Sequence, residues 1–297
     1  MGICSKKIDI LVQMLSGQMD LQQKLDASKL SGRLDISGFG LTVMPELPAN
    51  LTYLRCTYNM LTEIPPLPVT LLHFFCDRNR LIALPDLPKS LITLICSDNP
   101  IVMLPELSPT IDRLECVNNQ LTVLPSLPQS LKKLWCDKNM LRALPDLPMG
   151  LTNFGLNHNQ LTSMPQLPPK LEYLWCSHNK LTMMPKLPNT LKTMSCMSNW
   201  LTHIPEISNQ LSQMQCEGNP WHNLFAKYRV ADDKRAGVHA FYAERRAALK
   251  RAKTLLRLRH IFVRSPLSYD VLNVIGNIVS NQSGTLTHQI HCLEQWA

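Results

Sequence analysis

The chain repeats itself every 20 residues, almost without slippage, over roughly two-thirds of its 297 residues. Leu or Ile recurs at the first position of each unit, Asn at the ninth and Pro at the fifteenth. The Leu or Ile stands at 51, 71, 91, 111, 131, 151, 171, 191 and 211, the Asn at 59, 79, 99, 119, 139, 159, 179, 199 and 219, and the Pro at every twentieth position from 45 to 205. A fixed period of this length indicates stacked coils, and it restricts the fold more than any other feature of the chain.

The repeat unit, LxxLxCxxNxLxxLPxLPxx, has a direct physical interpretation. The LxxLxC part predicts a short strand whose second Leu and Cys point to the same side, because side chains alternate along a strand. The LPxLP part cannot form a regular helix, since each Pro lacks an N–H and pushes the preceding residue towards an extended conformation. The Asn can bond backbone groups of neighbouring coils, so its nine-fold recurrence predicts a buried ladder.

These features predict an α/β repeat solenoid, the leucine-rich-repeat horseshoe. Its short parallel strands line the concave face, its convex side is extended or polyproline-like, and helical caps cover both ends. We place an N-terminal helical cap at 1–30, ten coils at 31–220 and a basic helical C-terminal cap or tail at 221–297. The first coil, 31–50, is degenerate, with Phe39 where Asn is expected. Apolar spacing within 8–30 predicts one or two short helices.

Cysteine usage indicates a core role rather than a disulfide framework. Eight of the ten Cys occupy one repeat position, at 56, 76, 96, 116, 136, 176, 196 and 216. Leu156 takes that position in the remaining coil, and a position shared by Cys and Leu is an apolar core position. We therefore predict reduced, buried thiols in a chain that works in a reducing cytosol. No metal and no other cofactor is expected.

The chain has no run of apolar residues long enough to span a membrane, so membrane association is not expected. The apolar stretch 8–15 is short and contains Asp9, which argues against a signal peptide, so any secretion would proceed without a cleavable one. The first residues, MGICSKK, resemble an acylated N-terminus, although Lys6 stands where the myristoylation pattern requires Ser or Thr. Acylation at Gly2 or Cys4 stays open.

The concave face is predicted to carry an aromatic stripe. If 54 and 56 point inward, alternation places 53, 55 and 57 on the concave side, and the same holds in every coil. The central column (55, 75 and onward to 215) contains Phe75, Trp135 and Trp175, and the adjacent column (53 to 213) contains Tyr53, Arg113, Lys133 and Tyr173. Strands favour aromatic residues for reasons unrelated to binding. However, three of the five Trp fall on concave or rim positions and none at a repeat core position, which favours a protein-binding hot spot.

After the last coil the composition becomes basic. Residues 221–264 contain twelve Lys or Arg against three acidic residues, while the whole chain has a net charge of +8. The segment 239–264 predicts a long helix with an apolar face, and Arg245, Arg246, Lys250 and Arg251 are among its charges. Four interpretations stay open for this tail: a cap with a solvated basic face, a surface for polyanions, nuclear import or acidic partners, a helix on an anionic membrane, or a docking helix for a host factor.

The repeat, as in YLWCSHNKLTMMPKLP (173–188), resembles the LPxLP-type leucine-rich repeats of bacterial type III effectors, the YopM and IpaH group, and similar repeats in proteins of large DNA viruses. The resemblance covers roughly 31–220. It implies an effector with a role in virulence that binds a host protein in the host cytoplasm, with the nucleus as a further location. In the ubiquitin-ligase branch of that group a separate C-terminal domain carries a Cys-x-Asp nucleophile. Here Cys292 is followed two residues on by Glu294, so the non-enzymatic, YopM-like branch is the closer match.

The sequence therefore predicts a non-catalytic scaffold that binds a partner protein on its concave face. The anchoring residues are those of the aromatic stripe, with Arg113 and Lys133 supplying charge. The alternative is an enzyme-linked role, in which the tail acts as a ubiquitin ligase or recruits one.

Overall fold

Ten short parallel strands, joined in chain order into one sheet, form the framework of the protein. The structure is a computed structural model that describes residues 20–202 and 210–220. The strands are β1 (Arg33–Asp35), β2 (Tyr53–Arg55), β3 (His73–Phe75), β4 (Thr93–Ile95), β5 (Arg113–Glu115), β6 (Lys133–Trp135), β7 (Asn153–Gly155), β8 (Tyr173–Trp175), β9 (Thr193–Ser195) and β10 (Gln213–Gln215). In the described coils the LPxLP segments contain neither helix nor strand. The predicted leucine-rich-repeat solenoid is confirmed.

The register of the sheet equals the period of the sequence. Each strand residue pairs with the residue 20 positions further on, as Leu54 pairs with Phe74 and Leu114 with Leu134. The middle residue of every strand is buried, so the apolar side chains of all coils stack into one continuous core. A single coil could not bury its own leucines, and stacking is therefore what stabilises each of them.

One helix precedes the sheet. Helix α1 (Leu21–Ser31) begins at Asp20, whose carboxylate accepts from the backbone N–H of Gln23 while the Gln23 side chain accepts from the backbone N–H of Asp20. This reciprocal pair satisfies two donors that the helix itself leaves free. The helix ends at Gly32, which adopts a φ of 67°. Ala27 and Ser28 are buried. Helix α1 is the part of the predicted N-terminal cap that the structure describes.

Other predictions lie outside the described residues. They concern the N-terminal segment 1–19, with the proposed acylation sites, and the tail 221–297, with Arg245, Arg246, Lys250 and Arg251. The boundaries of the caps therefore stay predictions. Within the described ranges, no helix is long and apolar enough to cross a membrane.

The predicted cysteine ladder is confirmed. All eight repeat cysteines are free and buried, and Leu156 occupies their position in the remaining coil. Several of the thiols donate to the backbone of the next coil, as Cys136 Sγ does to the Gly155 carbonyl at 3.3 Å. Burial raises the pKa of the thiols, to about 12 for Cys176. These sulfurs are therefore protonated at neutral pH and are poor nucleophiles.

The predicted asparagine ladder is also confirmed. Each ladder asparagine is buried and joins two coils. Asn119 is typical: its Nδ2 donates to the carbonyl of Cys96 in the preceding coil at 3.2 Å and to that of Cys116 in its own coil at 3.1 Å. Its Oδ1 accepts from the backbone N–H of Ile101, also in the preceding coil, at 3.2 Å. The amide thus satisfies backbone groups that the three-residue strands leave unpaired where the chain turns.

Two further periodic devices were not predicted. The residue before each ladder asparagine adopts a left-handed conformation; it is glycine only at Gly38 and Gly218, and the eight coils between them use other residues with φ from 51° to 56°. In addition, hydroxyl side chains bond two carbonyls of the preceding coil, as Thr70 Oγ1 does to Ala49 and Leu51 at 3.1 and 2.7 Å. Ser90, Thr110, Ser130 and Thr190 repeat this arrangement.

We predict that Asn119→Ala destabilises the protein by about 3 kcal/mol, because it leaves several buried backbone groups without partners, at roughly 1–3 kcal/mol each. Chemical denaturation of the purified full chain measures this loss. The matched control is Gln120→Ala, which removes an exposed amide next to the ladder and should change stability by no more than about 0.5 kcal/mol. Equal effects of the two substitutions would contradict a stabilising role for the ladder.

Candidate functional site

The concave face carries two separate aromatic clusters rather than one uninterrupted stripe. All seven concave-face residues singled out from the sequence lie in strands of the sheet, with side chains outside the core. The aromatic members are half-buried, whereas Arg113 and Lys133 are exposed. The half-buried state reflects packing between neighbouring coils, which orders the rings before anything binds to them.

The N-terminal cluster consists of Tyr53, His73 and Phe75, on strands β2 and β3. The ring of Tyr53 lies 5.2 Å from that of Phe75 and 6.4 Å from that of His73, measured between centroids. The guanidinium of Arg33 lies over Tyr53 at 4.1 Å from the ring centroid, a cation–π contact. This arrangement brings together two of the predicted site residues, Tyr53 and Phe75.

The C-terminal cluster consists of Trp135, Tyr173 and Trp175, on strands β6 and β8. Tyr173 and Trp175 stack with their rings nearly parallel, at 10°, and their centroids 5.9 Å apart. Gly155 separates the two tryptophans on β7. A Cβ at this glycine would lie 2.8 Å from Cδ1 of Trp135, so the indole occupies the space that a side chain would need.

A charged group lies next to the C-terminal cluster. Arg113 binds the carboxylate of Glu115, with Nε 2.7 Å and Nη2 2.5 Å from the same oxygen. The guanidinium also lies 5.6 Å from the ring centroid of Trp135. In the described part of the chain Lys133, exposed on the neighbouring strand, makes no salt bridge. The prediction that Arg113 and Lys133 provide positive charge beside Trp135 therefore has a structural basis, although half of it is offset by Glu115.

The third concave column, at 57 and its equivalents, does not face solvent as alternation alone predicts. Thr57 and Ser177 are buried, and the other members are at most half-exposed. Several of these side chains accept from the backbone N–H of the next coil, as Asp137 Oδ1 does from Asn157 at 2.9 Å. The prediction was wrong for this column because it considered only side-chain direction. The strand has ended at this point, and its free N–H groups attract polar side chains.

The buried position of Asp137 changes its titration. Burial raises the pKa of this carboxyl above its ordinary value, and hydrogen bonds from the backbone and side chain of Asn157 oppose that rise. The second oxygen, Oδ2, would lie 2.6 Å from a Cβ at position 155, so Asp137 and Trp135 together require glycine there.

A shallow concavity of about 460 Å³ adjoins the N-terminal cluster, and the sequence did not predict it. Tyr53 and Phe75 line it, together with Asp77, Arg78 and other residues of four consecutive coils. Arg78 donates to the hydroxyl of Tyr58 and forms a salt bridge with Asp98 at 3.4 Å. These residues belong partly to the left-handed turns, whose role sequence patterns did not reveal.

The described residues offer little for catalysis. No group of three or more His, Cys, Asp or Glu side chains within them is arranged to hold a metal ion. The thiols are buried and protonated. Cys292, the residue on which the ubiquitin-ligase alternative rests, lies outside the described residues. What the concave face offers is a set of ordered aromatic rings with charged neighbours, which suits binding rather than bond making or breaking.

Comparisons with known proteins agree on the fold. No protein-family model and no curated protein matches the chain. Among solved structures, YopM from Yersinia enterocolitica WA-314 is 28% identical, over 66% of this chain and 58% of that one, with a TM-score of 0.38. A Shigella effector leucine-rich-repeat domain is 24% identical, over 75% of this chain and 90% of that one, with a TM-score of 0.47.

The leucine-rich-repeat domain of LRIM1 is 21% identical, over 70% of this chain and 76% of that one, with a TM-score of 0.54. This last similarity supports the leucine-rich-repeat fold alone. The chain spans little more than half of the YopM chain that it matches. Its structural neighbours are leucine-rich-repeat proteins, and bacterial effectors are among them.

We predict that Asp137→Asn stabilises the protein at pH 7 and that this gain shrinks as the pH falls towards 4. The pKa of Asp137 is raised in the folded state, so its contribution to stability is present below the unfolded pKa, near 4, and is lost as the pH rises through the folded value. The Asn keeps an oxygen for the Asn157 N–H and carries no buried charge, as Asn157 itself does towards Ser177. Thermal unfolding across this pH range measures the effect.

The exposed carboxyl of Asp146 provides the control, since Asp146→Asn should shift the unfolding midpoint little at any of these pH values. If Asp137→Asn lowers the midpoint at pH 7, or shifts it equally at every pH, burial does not determine the titration of Asp137.

Proposed function

We propose that the chain is a non-catalytic scaffold that binds a partner protein on its concave face. The observation that carries this proposal is the pair of aromatic clusters, each ordered by contacts between coils and each accompanied by an arginine stacked on an aromatic ring. Aromatic and arginine side chains are the groups that dominate the binding energy of protein interfaces.

Preorganisation supports this function. The rings of Tyr173 and Trp175 are stacked, and Trp135 is held between Arg113 and the backbone at Gly155. Side chains that are already ordered lose little conformational entropy when a partner covers them. The sheet beneath them is held in register by the asparagine ladder, so the spacing of the two clusters is fixed. From Phe75 to Trp135 the sheet advances three strands, which is about 14 Å.

The partner that we expect is a host protein. The support is the resemblance of the LPxLP repeats to those of type III effectors, which act on host proteins in the host cytoplasm. The reduced thiols of the cysteine ladder fit a reducing cytosol. Whether the basic tail 239–264 also contacts acidic partners, or directs the chain to the nucleus, stays a separate prediction about residues outside the described ones.

We predict that Trp135→Ala combined with Trp175→Ala weakens binding of the main partner at least about 100-fold, since hot-spot residues contribute roughly 2 kcal/mol or more each. Affinity purification from a host-cell lysate, followed by mass spectrometry, identifies the partner with the wild-type chain and measures the loss. Both tryptophans are half-buried, so thermal stability should fall only slightly. Met149→Ala with Met183→Ala, on exposed side chains away from the concave face, is the control.

Gly155→Ala is a second, independent variant. It keeps both tryptophans but takes the space that the Trp135 indole occupies, and should therefore weaken the same interaction by displacing the ring. Undiminished binding by the double tryptophan variant would refute the concave face as the binding surface.

A further inference from the structure

A group of exposed apolar side chains lies on the outer flank of the solenoid, immediately after the asparagine turns. Ile82, Val102, Met103 and Val123 belong to three consecutive coils, and their exposed fractions are 59%, 47%, 65% and 56%. The Val102 N–H donates to the Ile82 carbonyl at 3.2 Å, so these coils are in direct backbone contact at this point. We call these four residues the flank patch.

The flank patch is a local departure from the repeat. Thr stands at the position of Ile82 and Val102 in six other coils: Thr42, Thr62, Thr122, Thr162, Thr182 and Thr202. The coil before the patch has Thr62 and Glu63 at the two positions, and a coil beyond it has Thr162 and Ser163. The fold therefore does not need apolar side chains here. A contiguous apolar surface that the core does not require indicates an interaction site.

An acidic row runs beside the flank patch. It consists of Glu46, Asp86, Glu106 and Asp146, which share one repeat position on the outer side and are all exposed. None of the four makes a salt bridge within the described residues. Glu63 adds a further carboxylate next to the patch. The basic residues nearby in sequence are Arg80 and Lys89, so carboxylates outnumber cations around the patch.

The spacing of the patch matches a helix. Neighbouring coils are about 4.8 Å apart, and the side chains of a helix at i, i+3, i+4 and i+7 are spaced by about 5–6 Å along one face. Three coils thus correspond to about two helical turns. A helix lying across the coils would place its apolar stripe on the flank patch and one polar edge along the acidic row.

We propose that the flank patch is a second docking surface, and that it binds a basic amphipathic helix of a partner protein. The apolar stripe of that helix covers Ile82, Val102, Met103 and Val123, and its Lys or Arg side chains lie against Asp86 and Glu106. This surface is separate from the concave face, so either one can be removed without the other.

The test uses the full chain and a synthetic amphipathic helix of Leu and Lys, about five turns long, with a Leu/Glu helix of the same pattern as the comparison. The patch variant combines Ile82→Thr, Val102→Thr and Val123→Thr with Met103→Ser, residues that the repeat itself uses in other coils. We expect the Leu/Lys helix to bind, and the patch variant to bind it at least ten-fold more weakly. The Leu/Glu helix should bind far more weakly to the wild-type chain.

A second variant, Asp86→Asn with Glu106→Gln, tests the charge requirement without altering the apolar surface. It should weaken binding of the Leu/Lys helix and reduce the dependence of that binding on salt. The proposal is overturned if the Leu/Lys helix does not bind, if the Leu/Glu helix binds equally well, or if neither variant weakens binding.

The double tryptophan variant separates this proposal from the concave-face function. Trp135→Ala with Trp175→Ala should leave binding of the Leu/Lys helix unchanged, while the patch variant should still capture the concave-face partner. Loss of the helix alone sinks the second surface, and loss of the partner alone sinks the first.

Discussion

The structure depends on one interaction, the hydrogen bonding of the buried asparagine amide to the backbone of two coils. Strands of three residues can pair only a few backbone groups with their neighbours, and the chain must then turn without exposing the remainder to an apolar core. The ladder amides satisfy both a carbonyl and an N–H of the preceding coil, as Asn119 does with Cys96 and Ile101. Because each amide also bonds its own coil, it fixes the turn and the stacking together. The left-handed residue before each asparagine positions the amide for these bonds.

With the turn fixed in this way, the side chains on the concave face are free to vary. The inward positions of each strand must be apolar, and they are Leu, Phe, Met or Cys throughout. The central column carries no such requirement, and it ranges from Arg55 through Trp135 to the buried Gly155. The glycine is informative, because it leaves room for the neighbouring indole. Functional variation is thus confined to positions that the core does not use, which is why it can be recognised against the repeat.

The same reasoning explains what the sequence could and could not predict. The core leucines, the cysteine ladder and the asparagine ladder all follow from periodicity, since a residue type that recurs every 20 positions must meet the same environment in each coil. The left-handed turn position escaped prediction because residues as different as Tyr58, Lys138 and Ser198 occupy it. Its constraint acts on the backbone and leaves no uniform residue type. The burial of Thr57 and Ser177 escaped for a related reason, because the strand ends after three residues and alternation no longer applies.

The two aromatic clusters lie on different coils, and the repeat architecture determines how they are connected. Each coil contacts mainly its neighbours, so the energy of the solenoid is a sum of local terms. Phe75 and Trp135 are therefore related only through the coils between them, whose register is held by Asn99, Asn119 and Asn139. A partner that covers both clusters would add a direct link across those coils and favour their stacked state. A partner that covers one cluster would leave the other unaffected. The concave face thus binds as a single surface only as long as the intervening asparagine amides hold the coils in register.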